Sequence, residues 1–226
     1  MSKVVRGPEF QIESDKAMIV LGHSERKEYG EFIASALDER RVFEDIDVYT
    51  LNHCAAYLGR KSVREAMKSR TVITHSAGIM RVPQALQIIA INPPEPVSFG
   101  QLLRRATEVA KNPVVAEEGA PKTGIGDLAK AGFELVRSPI ASATTCLRIA
   151  RGYSATAHLA TGHNAFRAGR AMVHSELDSF GFAELADMER AAMAGVTTVL
   201  LADHYHNEVF FAPRSTLDLL TPEILV

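Results

Sequence analysis

Cysteine is scarce in this 226-residue chain, which carries only Cys54 and Cys146. Two thiols build no disulfide framework, and neither sits in a CxxC or at a metal-like spacing. A free pair in a reducing compartment is the plain reading. Excess charge of one sign is also missing: 25 Lys and Arg face 27 Asp and Glu, for a formal net charge of −2. Phosphate binding needs gathered basic residues, and Arg40-Arg41 and Arg104-Arg105 are isolated pairs, so no nucleic-acid partner is expected. No apolar run reaches the roughly 18 residues that cross a bilayer. Met1 to Gln11 holds Lys3 and Arg6 with no apolar stretch behind them, so no secretory signal is read there and a cytoplasmic location is expected. No GxxxxGK[ST] occurs, no repeat of fixed period is found, and Gly124-Ile125-Gly126 lacks both a third glycine and a preceding strand. What remains is a globular chain with 46% hydrophobic residues, enough for one sizeable core.

Hydrophobic patterning supplies the fold class. Ala17 to Leu21 is a continuous apolar run stopped by Gly22, as suits a strand buried on both faces. Residues 25–40 place Phe32, Ile33, Ala36 and Leu37 at helical spacing. Further strands are expected at Ile46–Leu51, Thr71–Thr74 and Leu86–Ile91, with a short helix at Ser62–Ser69. This alternation predicts an α/β domain with a mostly parallel central sheet flanked by helices. Asn92-Pro93-Pro94-Glu95-Pro96 stops the rhythm. Residues 98–194 then read as helices at 99–111, 125–137, 141–151, 164–178 and 183–194. The expected organisation is a first core part at 1–97, a helical cap insertion at 98–194, and the rest of the core at 195–226. Such an insertion sits at the carboxyl ends of the strands and serves as a lid or as a homodimer surface. Val196–Ala202 resumes the sheet, a short helix follows near 214–220, and Pro222–Val226 reads as one more strand.

The sharpest local feature is Thr74-His75-Ser76-Ala77-Gly78. A serine on a tight strand-to-helix turn holds its hydroxyl outside the sheet's carboxyl edge, and the tightness demands small residues two positions to either side. Gly78 meets that demand, and Thr74 stands where glycine is usual. The N–H of Ala77, at the start of the helix, is placed to stabilise an oxyanion. The plainer alternative makes Ser76 a helix N-cap.

These residues, the strand order before them and the Asn-Pro-Pro stretch after the next strand resemble the α/β-hydrolase family. The resemblance covers roughly 15–95 and 196–226. It implies a second oxyanion donor after the first central strand, where this chain has Gly22-His23-Ser24, so His23 or Ser24 would supply it. Strand-end glycine and helix-capping serine are the plain alternative there. It also implies a base and an acid after later strands, because a serine hydroxyl needs its proton removed. Asp203 and Glu208 are the acids placed first, with His206 or His204 as base. If 222–226 is the final strand, no histidine follows it. If 196–202 is the last strand instead, His204 or His206 takes the base position and the acid comes from Asp178, Glu184 or Asp187. His158, His163 and His174 of the helical block are weaker candidates for the base.

The expected function is a serine hydrolase that cleaves an ester or thioester through an acyl-enzyme on Ser76, acting on a small substrate with an apolar acyl part. The rival is an idle member of the same fold that binds a ligand or a protein. Asp203, His204, His206 and Glu208 have metal-ligand chemistry, but no second cluster of matching spacing joins them. Neither metal nor cofactor is expected.

Overall fold

The computed structural model describes residues 3–22, 26–49, 61–98, 100–101, 104, 114–121, 139–178, 185–220 and 224. Seven strands form one sheet: β1 (Lys3–Arg6), β2 (Lys16–Val20), β3 (Asp45–Tyr49), β4 (Thr71–His75), β5 (Ala85–Ile91), β6 (Phe166–Ser175) and β7 (Thr197–Leu201). Their spatial order is β1-β7-β6-β5-β4-β2-β3, and every pairing is parallel except β1 with β7. Parallel neighbours need crossovers. Among the described residues these include α1 (Lys27–Glu39), α2 (Lys61–Met67), α4 (Ala155–Thr161) and α5 (Leu185–Met193), with α3 (Pro139–Ala150) ahead of α4 and α6 (Glu208–Phe211) and α7 (Pro213–Leu220) closing the order.

Alternate strand residues feed the two faces, because side chains along a strand point to opposite sides. On one face Ile19, Ile73, Ile89, Ala171 and Val199 pack with Ile33 and Leu37 of α1 and Leu217 and Leu220 of α7. On the other, Met18, Val72, Ile88 and Met172 meet Val63 and Met67 of α2, Leu159 of α4 and Ala191 of α5. Each fully buried Leu, Ile or Met contributes about 1.5–3 kcal/mol, so both layers are needed to offset chain entropy. No helix among the described residues is long and apolar enough to cross a membrane.

Several expectations change. Residues 164–178 are not helical: Phe166–Ser175 is a ten-residue strand seated between β5 and β7. Its Ala, Arg and Met residues favour helix in isolation, but burial between two partner strands overrides that preference. Gly169 is required there, since a Cβ would lie 2.9 Å from the Phe10 ring. The helical block 98–194 is therefore interrupted by a central strand of the core. The expected helix at 141–151 is α3 and that at 183–194 is α5, while 125–137 lies outside the described residues, as do all but 100, 101 and 104 of 99–111. Lys3–Arg6, read only as a charged terminus, forms the edge strand, and its Lys and Arg suit an exposed edge. Pro222–Val226 lies outside the described residues except Ile224, which is in a turn and donates its N–H to Leu220 O at 2.9 Å.

A buried arginine and a half-buried glutamate tie helices to this sheet. Arg170 on β6 donates to the carbonyls of Leu159 (2.5 Å) and Ala160 (3.2 Å) near the end of α4, and to Ala194 (2.8 Å) beyond the end of α5. A guanidinium thus caps carbonyls at helix C-termini, one of which, Leu159 O, also accepts the Gly162 N–H at 3.2 Å. At the other end of α4, Glu95 Oε2 accepts from the Ser154 hydroxyl (2.6 Å) and Oε1 from Thr156 N–H (2.8 Å) and hydroxyl (2.5 Å). Burial nevertheless pushes the Glu95 carboxyl above its ordinary range, because desolvation outweighs those bonds.

Arg170→Met should lower stability by about 3 kcal/mol by stranding buried carbonyls, measured as a fall in the urea midpoint at unchanged slope. For Glu95 the sign follows from a folded pKa raised above the unfolded value. Its contribution is present in full below the unfolded pKa and is lost as pH rises through the folded one. The stability of the native chain relative to Glu95→Gln should therefore decline as pH rises through and above the ordinary carboxylate range. Paired urea titrations across that range will show no such decline if the carboxyl is unperturbed.

Candidate functional site

The chain runs from β2 outward to β3, then returns to place β4 on the other side of β2. Such a reversal marks the carboxyl ends of β2 and β4 as the usual ligand position of an open parallel sheet. Ser76 follows β4 directly, at that edge, and is partly exposed. Its φ is +49°, a left-handed conformation that costs a non-glycine residue about 1 kcal/mol or more. The 3-10 turn Ser76–Arg81 follows, with His75 rather than Ser76 at its N-cap position. The plain capping alternative is thus replaced by a strained elbow.

Gly78 shows why the elbow is so tight. A Cβ at this position would lie 2.3 Å from the Val20 carbonyl oxygen and 3.2 Å from Leu21 C. The turn lies directly on the end of β2, so glycine is needed for approach rather than for its dihedral freedom. Ala77, between them, is buried in the first turn, where a short helix offers its own N–H groups no acceptor. His23 and Ser24 lie outside the described residues.

Two further strand ends bring the other chemistry. β6 ends at Ser175 and leads to Asp178; β7 ends at Leu201 and leads to His206. Backbone bonds from Glu176 N–H to Leu201 O (2.9 Å) and from Leu177 N–H to His204 O (2.8 Å) hold these two loops in register. His206 Nδ1 consequently lies 2.8 Å from Asp178 Oδ1, with the imidazole 5% and the carboxylate 0% exposed. A carboxylate 2.8 Å from Nδ1 favours a proton on that nitrogen, the tautomer in which Nε2 is the basic one.

Asp203 and Glu208, the acids expected first from the sequence, stand elsewhere in the loop. Asp203 adopts φ +60° just after β7, with its N–H on Glu176 Oε2 at 3.2 Å. Glu208 Oε2 accepts from Tyr205 N–H at 3.0 Å, and its Oε1 lies 3.8 Å from His204 Nε2. The physical reason is strand order. β7 is the last strand of the described sheet, so the loop after it carries the histidine and the preceding strand, β6, carries the carboxylate. Of the other acids weighed, Asp187 pairs with Arg190 within α5, and Glu184 lies outside the described residues. His204 is buried with Nδ1 2.9 Å from Ala202 O. His158, against Tyr153 and Phe166, and His163, whose Nδ1 contacts Arg170, are drawn into other packing, and His174 is fully buried within β6.

Two residues of the elbow and Asn-Pro-Pro motifs, neither assigned a role in the site from the sequence, also stand at this edge. His75 Nε2 lies 2.9 Å from the His206 carbonyl oxygen, and Asn92 Nδ2 donates to that same oxygen at 2.8 Å. Asn92 Oδ1 also accepts from Ser175 N–H at 2.8 Å. Among the described residues no group of three or more His, Cys, Asp or Glu side chains has the arrangement to hold a metal ion.

No family model and no curated protein sequence matches the chain. Solved structures do. An N-formylmaleamic acid deformylase from Pseudomonas putida is similar over 97% of this chain and 96% of its own, with a TM-score of 0.60 at 11% identity. A thermophilic esterase from Thermogutta terrifontis is similar over 97% and 90%, with a TM-score of 0.53 at 14% identity. An alpha/beta hydrolase enzyme from a lagoon-sediment metagenome is similar over 96% and 91%, with a TM-score of 0.51 at 8% identity. This chain has the α/β-hydrolase fold. Within that fold the elbow, the β6 loop and the β7 loop described above share one sheet edge.

The elbow makes a direct prediction. Gly78→Ala should force β2 and the turn apart and lower stability by about 2 kcal/mol, the usual range for overpacking a tight contact. Thermal melts of both proteins measure it. An unchanged melting temperature would mean that the turn does not rest on Val20.

Proposed function

We propose that the chain is a serine hydrolase that cleaves an ester or thioester through an acyl-enzyme on Ser76, with His206 as base and Asp178 as the acid that orients it. The observation that carries the reading is the 2.8 Å approach of Asp178 to His206 Nδ1 at the sheet edge where Ser76 sits in left-handed conformation. Strain held at a loop residue is maintained only by the structure around it, and it gathers at reactive positions.

In this reading Ser76 Oγ attacks the substrate carbonyl carbon while its proton passes to His206 Nε2. Charge then develops on the carbonyl oxygen, where the Ala77 N–H stabilises it, with a second donor supplied by the backbone of His23 or Ser24. Collapse expels the alcohol or thiol, which takes the proton from His206. Water repeats the sequence on the acyl-enzyme: its proton goes to His206, the acid product leaves, and Ser76 Oγ recovers the proton. Asp178 stays ionised throughout and stabilises the imidazolium. Its burial strengthens that attraction, since little water lies near to screen it. An apolar acyl part is the substrate class suggested by the Ala, Leu and Phe residues between 98 and 138.

A fluorophosphonate probe should label the native protein at Ser76 and leave Ser76→Ala unlabelled. Turnover of p-nitrophenyl butyrate should be lost in Ser76→Ala and His206→Ala. In Asp178→Asn it should fall on the order of 10⁴-fold, as expected when a base is left in the wrong tautomer. Equal turnover by the native protein and Ser76→Ala would end the hydrolase reading.

A further inference from the structure

We infer that His75 and Asn92 form a two-donor clamp on the main-chain carbonyl of His206 and act as positioning residues for its imidazole. The inference rests on the proposed role of His206 as base, and it concerns residues that take no part in the proton transfers themselves.

The chemistry of the contact is one-directional. A carbonyl oxygen only accepts, so the His75 nitrogen 2.9 Å away, Nε2, must carry the proton. Asn92 allows one orientation of its amide: Nδ2 toward the His206 oxygen and Oδ1 toward the Ser175 N–H. The His206 carbonyl therefore engages both lone pairs with two buried side chains from two other strands. His75 and Asn92 are each 2% exposed, so no solvent competes for that oxygen.

The geometry of the donors makes the clamp specific. His75 is the residue before Ser76, at the end of β4, so the position of the base is referred to the turn that carries the nucleophile. Its ring lies edge-on between the His206 ring, at 4.7 Å, and the Phe210 ring, at 4.3 Å, which fixes the imidazole plane. Asn92 follows β5 with φ +46°, and the backbone there is anchored by its own N–H on Val173 O at 2.8 Å. One amide thereby binds the end of β6, which leads to Asp178, to the loop carrying His206. Misplacement of a catalytic group by about 1 Å can cost 10²-fold in rate, so a restraint at the base's own peptide acts on turnover rather than on binding.

The test uses His75→Phe, which keeps a ring but removes the donor, His75→Gln, which restores a donor at nearly the Nε2 position, and Asn92→Asp, which replaces the donating NH2 with a carboxylate oxygen and is assayed at a pH where the carboxylate is ionised. Amide hydrogen exchange of residues 203–208 is measured in each, beside kcat and KM for p-nitrophenyl butyrate. His75→Phe and Asn92→Asp should speed exchange in that segment at least tenfold and lower kcat 10- to 100-fold, with KM within twofold. His75→Gln should recover most of both. Unchanged exchange in His75→Phe and Asn92→Asp, or a His75→Gln no better than His75→Phe, overturns the clamp. Where one variant fails to fold, judged by circular dichroism, the variant of the other donor decides. The exchange readout needs no activity: absence of Ser76 labelling in the native protein would remove the hydrolase reading, and exchange alone would then decide on the clamp.

Discussion

The contact on which the site depends is the approach of Gly78 to the end of β2. With 2.3 Å between a notional Cβ and the Val20 oxygen, the chain leaving β4 has no room to continue as an ordinary helix start. It must turn at once, and the turn places Ser76 at φ +49°. Strain of about 1 kcal/mol is small beside the burial that enforces it: Val20, Ala77 and Ile79 all lie in one packed layer with Met18, Val72 and Ile88. The conformation of Ser76 is thus a consequence of the packing beneath it, set by a rigid core and not by a flexible loop.

Ser76 is not alone in this conformation. Asn92 and Asp203 also have positive φ, at +46° and +60°, and like Ser76 they come just after strands of the same sheet. Asn and Asp tolerate the left-handed region at low cost; serine does so less readily. The sheet edge is therefore built from sharp turns, and in two of the three the residue type itself eases the strain. Such turns end β4 and β5 level with one another at the His75–Ile91 pair, with β7 running two residues beyond, and send their following residues across one another. That crossing is what lets the Asn92 amide reach both Ser175 and His206.

Much of this is legible in the sequence, and the limits of that legibility are physical. The strands at 16–20, 71–75, 85–91 and 197–201 are apolar on both faces, a pattern that local residues alone reveal. The elbow is legible because sterics demand a small residue at Gly78. β6 is not, because Phe166-Arg-Ala-Gly-Arg-Ala-Met carries helix-forming residues and only its neighbours make it a strand. A hidden β6 hides the place of Asp178 as well. Without that strand Asp178 belongs to a helical insertion, and the carboxylates nearest to the histidines in the chain, Asp203 and Glu208, take precedence. The pairing of Asp178 with His206 spans two loops whose register is set by backbone bonds, and no spacing rule in one segment reports it.

His75 and Asn92 are hidden for a different reason. Each has a plain local explanation, a residue beside the elbow serine and a turn residue before two prolines, and local explanations exhaust what spacing can say. Their shared acceptor is a main-chain carbonyl, which has no letter in the sequence. Asp178 lies against His206 at Nδ1, a contact to the ring that leaves the main chain carrying it a second freedom. Fixing the peptide oxygen through His75 and Asn92 removes that second freedom. Two anchors on one residue, one on the ring and one on the main chain, restrain both the position and the plane of the His206 imidazole, and they come from the ends of β4, β5 and β6 of the sheet that carries Ser76.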